Sequence, residues 1–188
     1  MKSLANLLDK PAGEPLLADD VLELHAARLL LLISVCGIKT KGSGLKRLEG
    51  LTKLAKLDFL VRYPDFFKKL ADHLGQDTST PLREIESSMV RFHYGPWDDR
   101  YYHVLAYLES RGLMQVSKEA NTYKFSLTEL GGQIANTFAD AEVFAEMTEH
   151  IRRVRKLVGK KRGTELKDLV YEVFGEEVAN LKLGESIS

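Results

Sequence analysis

The chain has 188 residues, with 44% hydrophobic and 29% charged, and 27 basic residues balance 27 acidic ones. That length and balance fit a soluble globular protein with a real core, and exclude a disordered or strongly polycationic chain. With a net charge of zero, any contact with nucleic acid has to come from a local patch. The single cysteine, Cys36, excludes an intramolecular disulfide and a cysteine-based zinc site, and its apolar neighbours mark it as a core residue.

Residues 1–17 contain Pro11, Gly13 and Pro15 and read as an N-terminal arm with no apolar core of a signal peptide. The apolar run Leu29 to Val35 is too short to cross a bilayer, so a cytoplasmic protein without a membrane partner is expected. A helix is predicted from Asp19-Asp20, whose charges suit the positive end of the helix dipole, to about Gly37. Its apolar residues wrap nearly all the way round from Leu29 to Val35, which places it at the centre of the core.

After a turn at KTKGSG, the leucines at 45, 48, 51, 54, 57 and 60 recur at helical spacing, and Pro64 should end that helix at Tyr63. A short helix then runs from Asp65 to Gly75, and the following polar stretch through Glu86 reads as a loop. The segment ESSMVRFHY, Glu86 to Tyr94, is open between a strand and a helical turn. Asp98 or Asp99 is expected to cap a helix from about Arg100 to Ser110, stopped by Gly112.

Residues 113–117 and 122–127 alternate at period two, and Lys118 to Asn121 make a hairpin loop with Asn121 suited to left-handed backbone. Thr128 should cap the next helix. One long helix is predicted from Asp140 to about Val158, acidic in its first half and basic in its second, and a last one follows Thr164. The pattern implies a mainly α protein with a small β-hairpin wing. It reads as a winged helix-turn-helix with N- and C-terminal helical extensions, divided as arm 1–17, winged-helix domain 18–139 and extension 140–188.

The residues that could carry chemistry form no recognisable catalytic pattern. His25, His73, His93, His103 and His150 are scattered, and no metal-ligand spacing appears. Gly42-Ser43-Gly44-Leu45-Lys46 lacks the order of a phosphate-binding loop. His93, Asp98, Asp99, Arg100 and His103 surround the only tryptophan, but capping and aromatic packing account for them better than acid-base work. No catalytic residue, metal or cofactor is therefore expected.

Two surfaces remain. The helix before the wing would carry only Arg100, His103 and Arg111 toward DNA and is lined with tyrosine, which suits a protein interface better than base reading. Tyr94, Trp97, Arg100, Tyr101 and Tyr102 are the interface candidates. The basic run Arg152, Arg153, Arg155, Lys156, Lys160, Lys161 and Arg162 contains no acid from Ile151 to Gly163, and supplies candidates for contact with the DNA backbone.

The segments Lys53 to Leu60, Arg62-Tyr63-Pro64, Met89 to Phe92, Tyr94-Gly95-Pro96-Trp97-Asp98, Arg100-Tyr101-Tyr102 and Arg111-Gly112-Leu113 resemble the middle component of ABC-three-component systems. These are the Lamassu-type anti-phage and anti-plasmid defence operons. The resemblance covers roughly Leu45 to Ala135, and the Tyr-Gly-Pro-Trp-Asp run is its most specific part. It implies a non-enzymatic accessory subunit of an SMC-like coiled-coil ATPase, bridging or positioning the ATPase heads and an effector nuclease encoded nearby. The alternative is a winged-helix transcriptional regulator that binds DNA as a dimer.

Overall fold

The computed structural model describes Ser3 and residues 21–76, 89–92, 95–175 and 186–187. The chain is mainly helical with a small antiparallel sheet of four strands. Helix α1 (Leu22–Cys36) leads into strands β1 (Ile38–Lys39) and β2 (Lys46–Glu49), then helices α2 (Leu51–Arg62) and α3 (Pro64–His73). Strands β3 (Met89–Phe92) and β4 (Gly95–Trp97) precede helix α4 (Tyr101–Ser110), and the hairpin β5 (Met114–Glu119) and β6 (Thr122–Leu127) follows. Helices α5 (Glu129–Asp140), α6 (Ala145–Val158) and α7 (Gly163–Phe174) and strand β7 (Ser186–Ile187) complete the described elements.

The larger sheet has the order β1-β2-β6-β5, so β6 lies between its hairpin partner and β2, a strand from much earlier in the chain. Leu48 faces Phe125 and Met114 faces Leu127 across the ladders, and all four are buried. A second ladder has the order β4-β3-β7.

Two helices are surrounded. In α1 every residue from His25 to Ile33 is buried, as its all-round apolar pattern predicts. In α2 every residue from Leu54 to Arg62 is buried, although Lys56, Asp58 and Arg62 are among them. Phe59 meets the rings of Tyr63, Phe66 and Phe174, which joins α2, α3 and α7. Ile151, Val154, Val158, Leu166 and Val170, from the segment read in the sequence as an extension, belong to this same core.

Three expectations change. In place of the predicted helix from Leu45, Lys46–Glu49 form strand β2, because Arg47 to Glu49 pair with β6, and Gly50, at φ 89°, turns the chain before α2 begins. The long helix from Asp140 is interrupted: α5 ends there, a 3-10 turn spans Glu142–Phe144, and α6 starts at Ala145. In the hairpin the left-handed position is Ala120, at φ 51°, since the strands run to Glu119 and from Thr122 and leave a two-residue turn. The predicted loop after residue 76 lies largely outside the described residues.

The junction between the hairpin and α5 is close-packed. The Thr128 hydroxyl donates to the Gly112 carbonyl at 2.7 Å and accepts from the Gly131 amide at 3.0 Å. A Cβ on Gly131 would sit 1.8 Å from the Leu113 carbonyl oxygen, whereas one on Gly132 would meet nothing within 4 Å. Gly131→Ala is therefore expected to cost more than about 2 kcal/mol in urea denaturation, because backbone has to move. Gly132→Ala should be neutral or stabilising by up to about 1 kcal/mol, the helix-propensity gain.

Candidate functional site

The aromatic turn before α4 is held from below by charge. Arg28 of α1 donates from Nε to Asp58 Oδ1 of α2 at 2.7 Å, and the Tyr101 hydroxyl of α4 donates to Asp58 Oδ2 at 2.8 Å. One turn further along α2, Arg62 Nη1 donates to Asp98 Oδ2 at 2.6 Å and stands 3.9 Å from Asp58 Oδ2. Asp98 is gripped by its neighbour as well, for Arg100 donates to it from Nε at 2.8 Å, from Nη2 at 2.7 Å and from its backbone amide at 3.0 Å. His25 lies between Arg28 Nη2, 2.9 Å from Nδ1, and Arg100 Nη1, 3.3 Å from Nε2. A neutral imidazole has one acceptor nitrogen, so in that form only one of these contacts is a hydrogen bond.

This closed chain of contacts ties α1, α2 and the start of α4 together. Burial alone would raise the Asp98 carboxyl, but the Arg100 hydrogen bonds and the charges of Arg62 and Arg100 outweigh it and hold the group far below the usual carboxylate range. Burial and the neighbouring Asp58 carboxylate push the Tyr101 phenol well above 10, so it remains a donor at neutral pH. The network is a clamp of fixed charges.

Lys56 makes a second tie, donating from its buried amine to the Pro96 carbonyl at 3.0 Å and joining α2 to β4. A third joins the Met89 amide of β3, as donor, to the Tyr63 hydroxyl. The start of α4, β4 and β3 are thus tied to α2 or to Tyr63, the residue that caps its C-terminus. The Trp97 ring lies edge-on to Tyr101, with centroids 5.3 Å apart, and 6.0 Å from Tyr102.

The interface candidates separate accordingly. Tyr102 is 62% exposed, Trp97 is half-buried, and Arg100 is committed to Asp98. Tyr101 is a correction: at 2% exposed, with its hydroxyl on Asp58, it belongs to the core and not to a docking face. Tyr94 lies outside the described residues. Asp98 does hold an amide at the start of α4, but its carboxylate mainly serves two arginines, which capping logic alone did not anticipate. The outward face of α4 is formed by Tyr102, His103, Ala106, Glu109 and Ser110, and Glu109 accepts from the Val116 amide at 2.9 Å.

The basic run is unevenly engaged. Glu149 stands 3.5 Å from Arg152 and 3.7 Å from Arg153, and Arg153 is half-buried. Arg155, Lys156 and Lys160 are exposed, Lys161 is half-buried, and the Arg162 amide donates to Glu165 at the start of α7. Cys36 is buried, and burial raises its thiol to about 12. Among the described residues no group of His, Cys, Asp or Glu could hold a metal ion, and no helix is long and apolar enough to cross a membrane.

No family model, curated protein or solved structure matches the chain.

Two outcomes follow from the clamp. Asp58→Ala removes the carboxylate shared by Arg28 and Tyr101, and is expected to cost about 3–5 kcal/mol in chemical denaturation, the range for breaking a buried ion pair.

The second concerns Lys56, whose amine burial lowers from 10.5 to about 7. Above pH 7 the unfolded chain still holds a proton that the folded chain has lost, so this group makes stability rise with pH up to 10.5. Above pH 9 the unfolded Cys36 thiol ionises while the folded one stays neutral, and stability is lost again. Lys46 and Lys53 are shifted in the same direction, so the Lys56 share is the difference between the unaltered protein and Lys56→Met from pH 7 to 9, about 2 kcal/mol in urea denaturation. Lys56→Met should be more stable at pH 7 and should gain about 2 kcal/mol less across that window; a rise equal to that of the unaltered protein would refute the assignment.

Proposed function

We propose that this protein is a non-enzymatic accessory subunit that docks onto a protein partner through the outward face of α4. The observation that carries this reading is the composition of that face. Tyr102 and Ala106 sit one helical turn apart and are exposed, their face of α4 carries Glu109 and no lysine or arginine, and the buried clamp fixes the angle at which they are presented. A rigid, exposed aromatic beside a small residue is typical of a protein-binding anchor, and a Glu-bearing helix poor in cations is ill suited to phosphate.

The sheet order supports a winged helix-turn-helix. Strand β2 falls between α1 and α2, α4 precedes the β5–β6 hairpin, and β6 lies between β5 and β2. On that reading α4 takes the position of the recognition helix, the hairpin is the wing, and α3 with β3 and β4 is inserted between the second and third helices. The resemblance to the middle component of Lamassu-type defence systems supplies the partners: an SMC-like ATPase, and an effector nuclease that the subunit bridges to it or positions. On this reading the role lies in anti-phage and anti-plasmid defence, and the complex is a cytoplasmic one, in keeping with the apolar run of α1 being too short to cross a bilayer. The same helix order also favours a second reading, a dimeric DNA-binding regulator, and the charge of α4 speaks against it.

Co-expression with the products of the adjacent genes tests the proposal. Tyr102→Ala should fold normally yet lose the co-purifying ATPase by about 30-fold or more in affinity, the effect of deleting a hot spot of about 2 kcal/mol. An intact complex with this variant, or specific binding of the isolated protein to a palindromic operator, would overturn it.

A further inference from the structure

The basic run at the end of α6 is completed in space by residues that lie over a hundred positions earlier. Strands β1 and β2 pair so that Lys39 stands directly opposite Lys46. Like charges at facing positions of an antiparallel ladder repel and destabilise the hairpin. A third cation adds to them: burial lowers the pKa of the Lys46 amine most, and the nearby charges of Arg155 and Lys39 lower it further. Lys53 of α2 donates to the Gly159 carbonyl at 2.8 Å, which fixes the end of α6 beside this part of the chain.

The surrounding acids are otherwise employed. Glu149 faces Arg152 and Arg153, Glu49 pairs with Arg47 at 2.6 Å, and Glu165 acts on Lys53 and accepts the Arg162 amide. Lys39, Lys41, Arg155 and Lys156 are exposed and have no carboxylate partner among the described residues. The hairpin between the lysines is built for close approach. Gly42 and Gly44 take left-handed backbone at φ 92° and 69° with open space around them, and the Thr40 and Ser43 hydroxyls lie 2.6 Å apart at the tip.

We propose that the β1–β2 hairpin and the C-terminal end of α6 form one surface that holds the phosphodiester backbone of double-stranded nucleic acid. Lys39, Lys41, Lys46, Arg155 and Lys156 are the contacting cations. Repulsion retained between facing lysines in the free protein is relieved when a polyanion lies across them, and condensed counterions leave the duplex. The small hydroxyl-bearing tip suits phosphate oxygens, which amides and Ser or Thr side chains commonly contact. Among the described residues β1, β2 and α6 carry no exposed aromatic platform, as single-strand binding would need, and Ile38 is a poor apolar anchor for a membrane surface. The contact reads no bases. It goes beyond the accessory-subunit role and does not depend on it, since the isolated chain carries the surface.

Fluorescence anisotropy of the full chain with labelled DNA and RNA duplexes of about 30 base pairs tests this at low salt. With about four phosphate contacts, affinity should fall about 100-fold between 50 and 200 mM salt, and should be equal for two unrelated sequences. Lys39→Glu/Lys41→Glu, both exposed, should weaken binding at least about tenfold while melting no lower than the unaltered chain, and Arg155→Glu should do the same. Lys68→Glu/Lys69→Glu on α3 changes net charge equally and should leave affinity within about twofold. Binding to either duplex with this pattern supports the surface. Absence of binding at low salt, full binding by the hairpin variant, equal loss in the α3 variant, or preference for vesicles of anionic lipid would each overturn it.

Discussion

The position of Asp58 is the constraint on which the rest depends. It lies on a helix buried on all sides, so its charge has to be met from neighbouring elements, and it is met from two of them: Arg28 of α1 and the Tyr101 hydroxyl of α4. Arg62, one turn later, carries the same demand to Asp98. A buried ion pair adds little net stability, because desolvation offsets most of the attraction. Its value is geometric. An apolar contact tolerates sliding, whereas two carboxylates answered by three guanidiniums and a phenol admit few alternative arrangements of α1, α2 and α4.

That restriction reaches the surface through one residue step. Tyr101 turns inward to Asp58, so Tyr102 is driven outward, and Trp97 fills the space against both rings. The aromatic turn therefore combines two roles that its composition does not separate. Half of it is the lid of a charged core, and the other half is a presented face. Lys56 serves the lid. It joins α2 to the Pro96 carbonyl with no carboxylate partner among the described residues, and burial there leaves an amine whose charge is lost near pH 7.

Much of this was legible in the chain. The all-round apolar run of α1, the break at Pro64, the stop at Gly112 and the Thr128 cap each depend on neighbours in sequence, and the structure places them where local rules do. What escaped depends on distant partners. The leucines from Leu45 fit a helix by spacing, but Arg47 to Glu49 are claimed by β6, about eighty residues later, and Lys46 by β1, and those pairings make them a strand. Asp58 and Arg62 at a four-residue spacing look like a solvated helical pair until α1 and α4 bury them. Tyr101 and Tyr102 are indistinguishable by type, and only the register of α4 over Asp58 sorts one from the other.

The charged regions of a chain whose net charge is zero divide in the same way, by what the fold brings beside them. In the core, opposite charges are brought together and satisfied, and the product is rigidity. At the β1–β2 hairpin, like charges are brought together and left facing one another, with the acids nearby engaged elsewhere. A folded chain gains nothing by holding Lys39 against Lys46 within reach of Arg155, and a substitution to a neutral residue on this exposed ladder would relieve the repulsion without loss of packing. Satisfied charge explains how the α4 face is held; unsatisfied charge of one sign marks a second face, and the two point to different classes of ligand on one small protein.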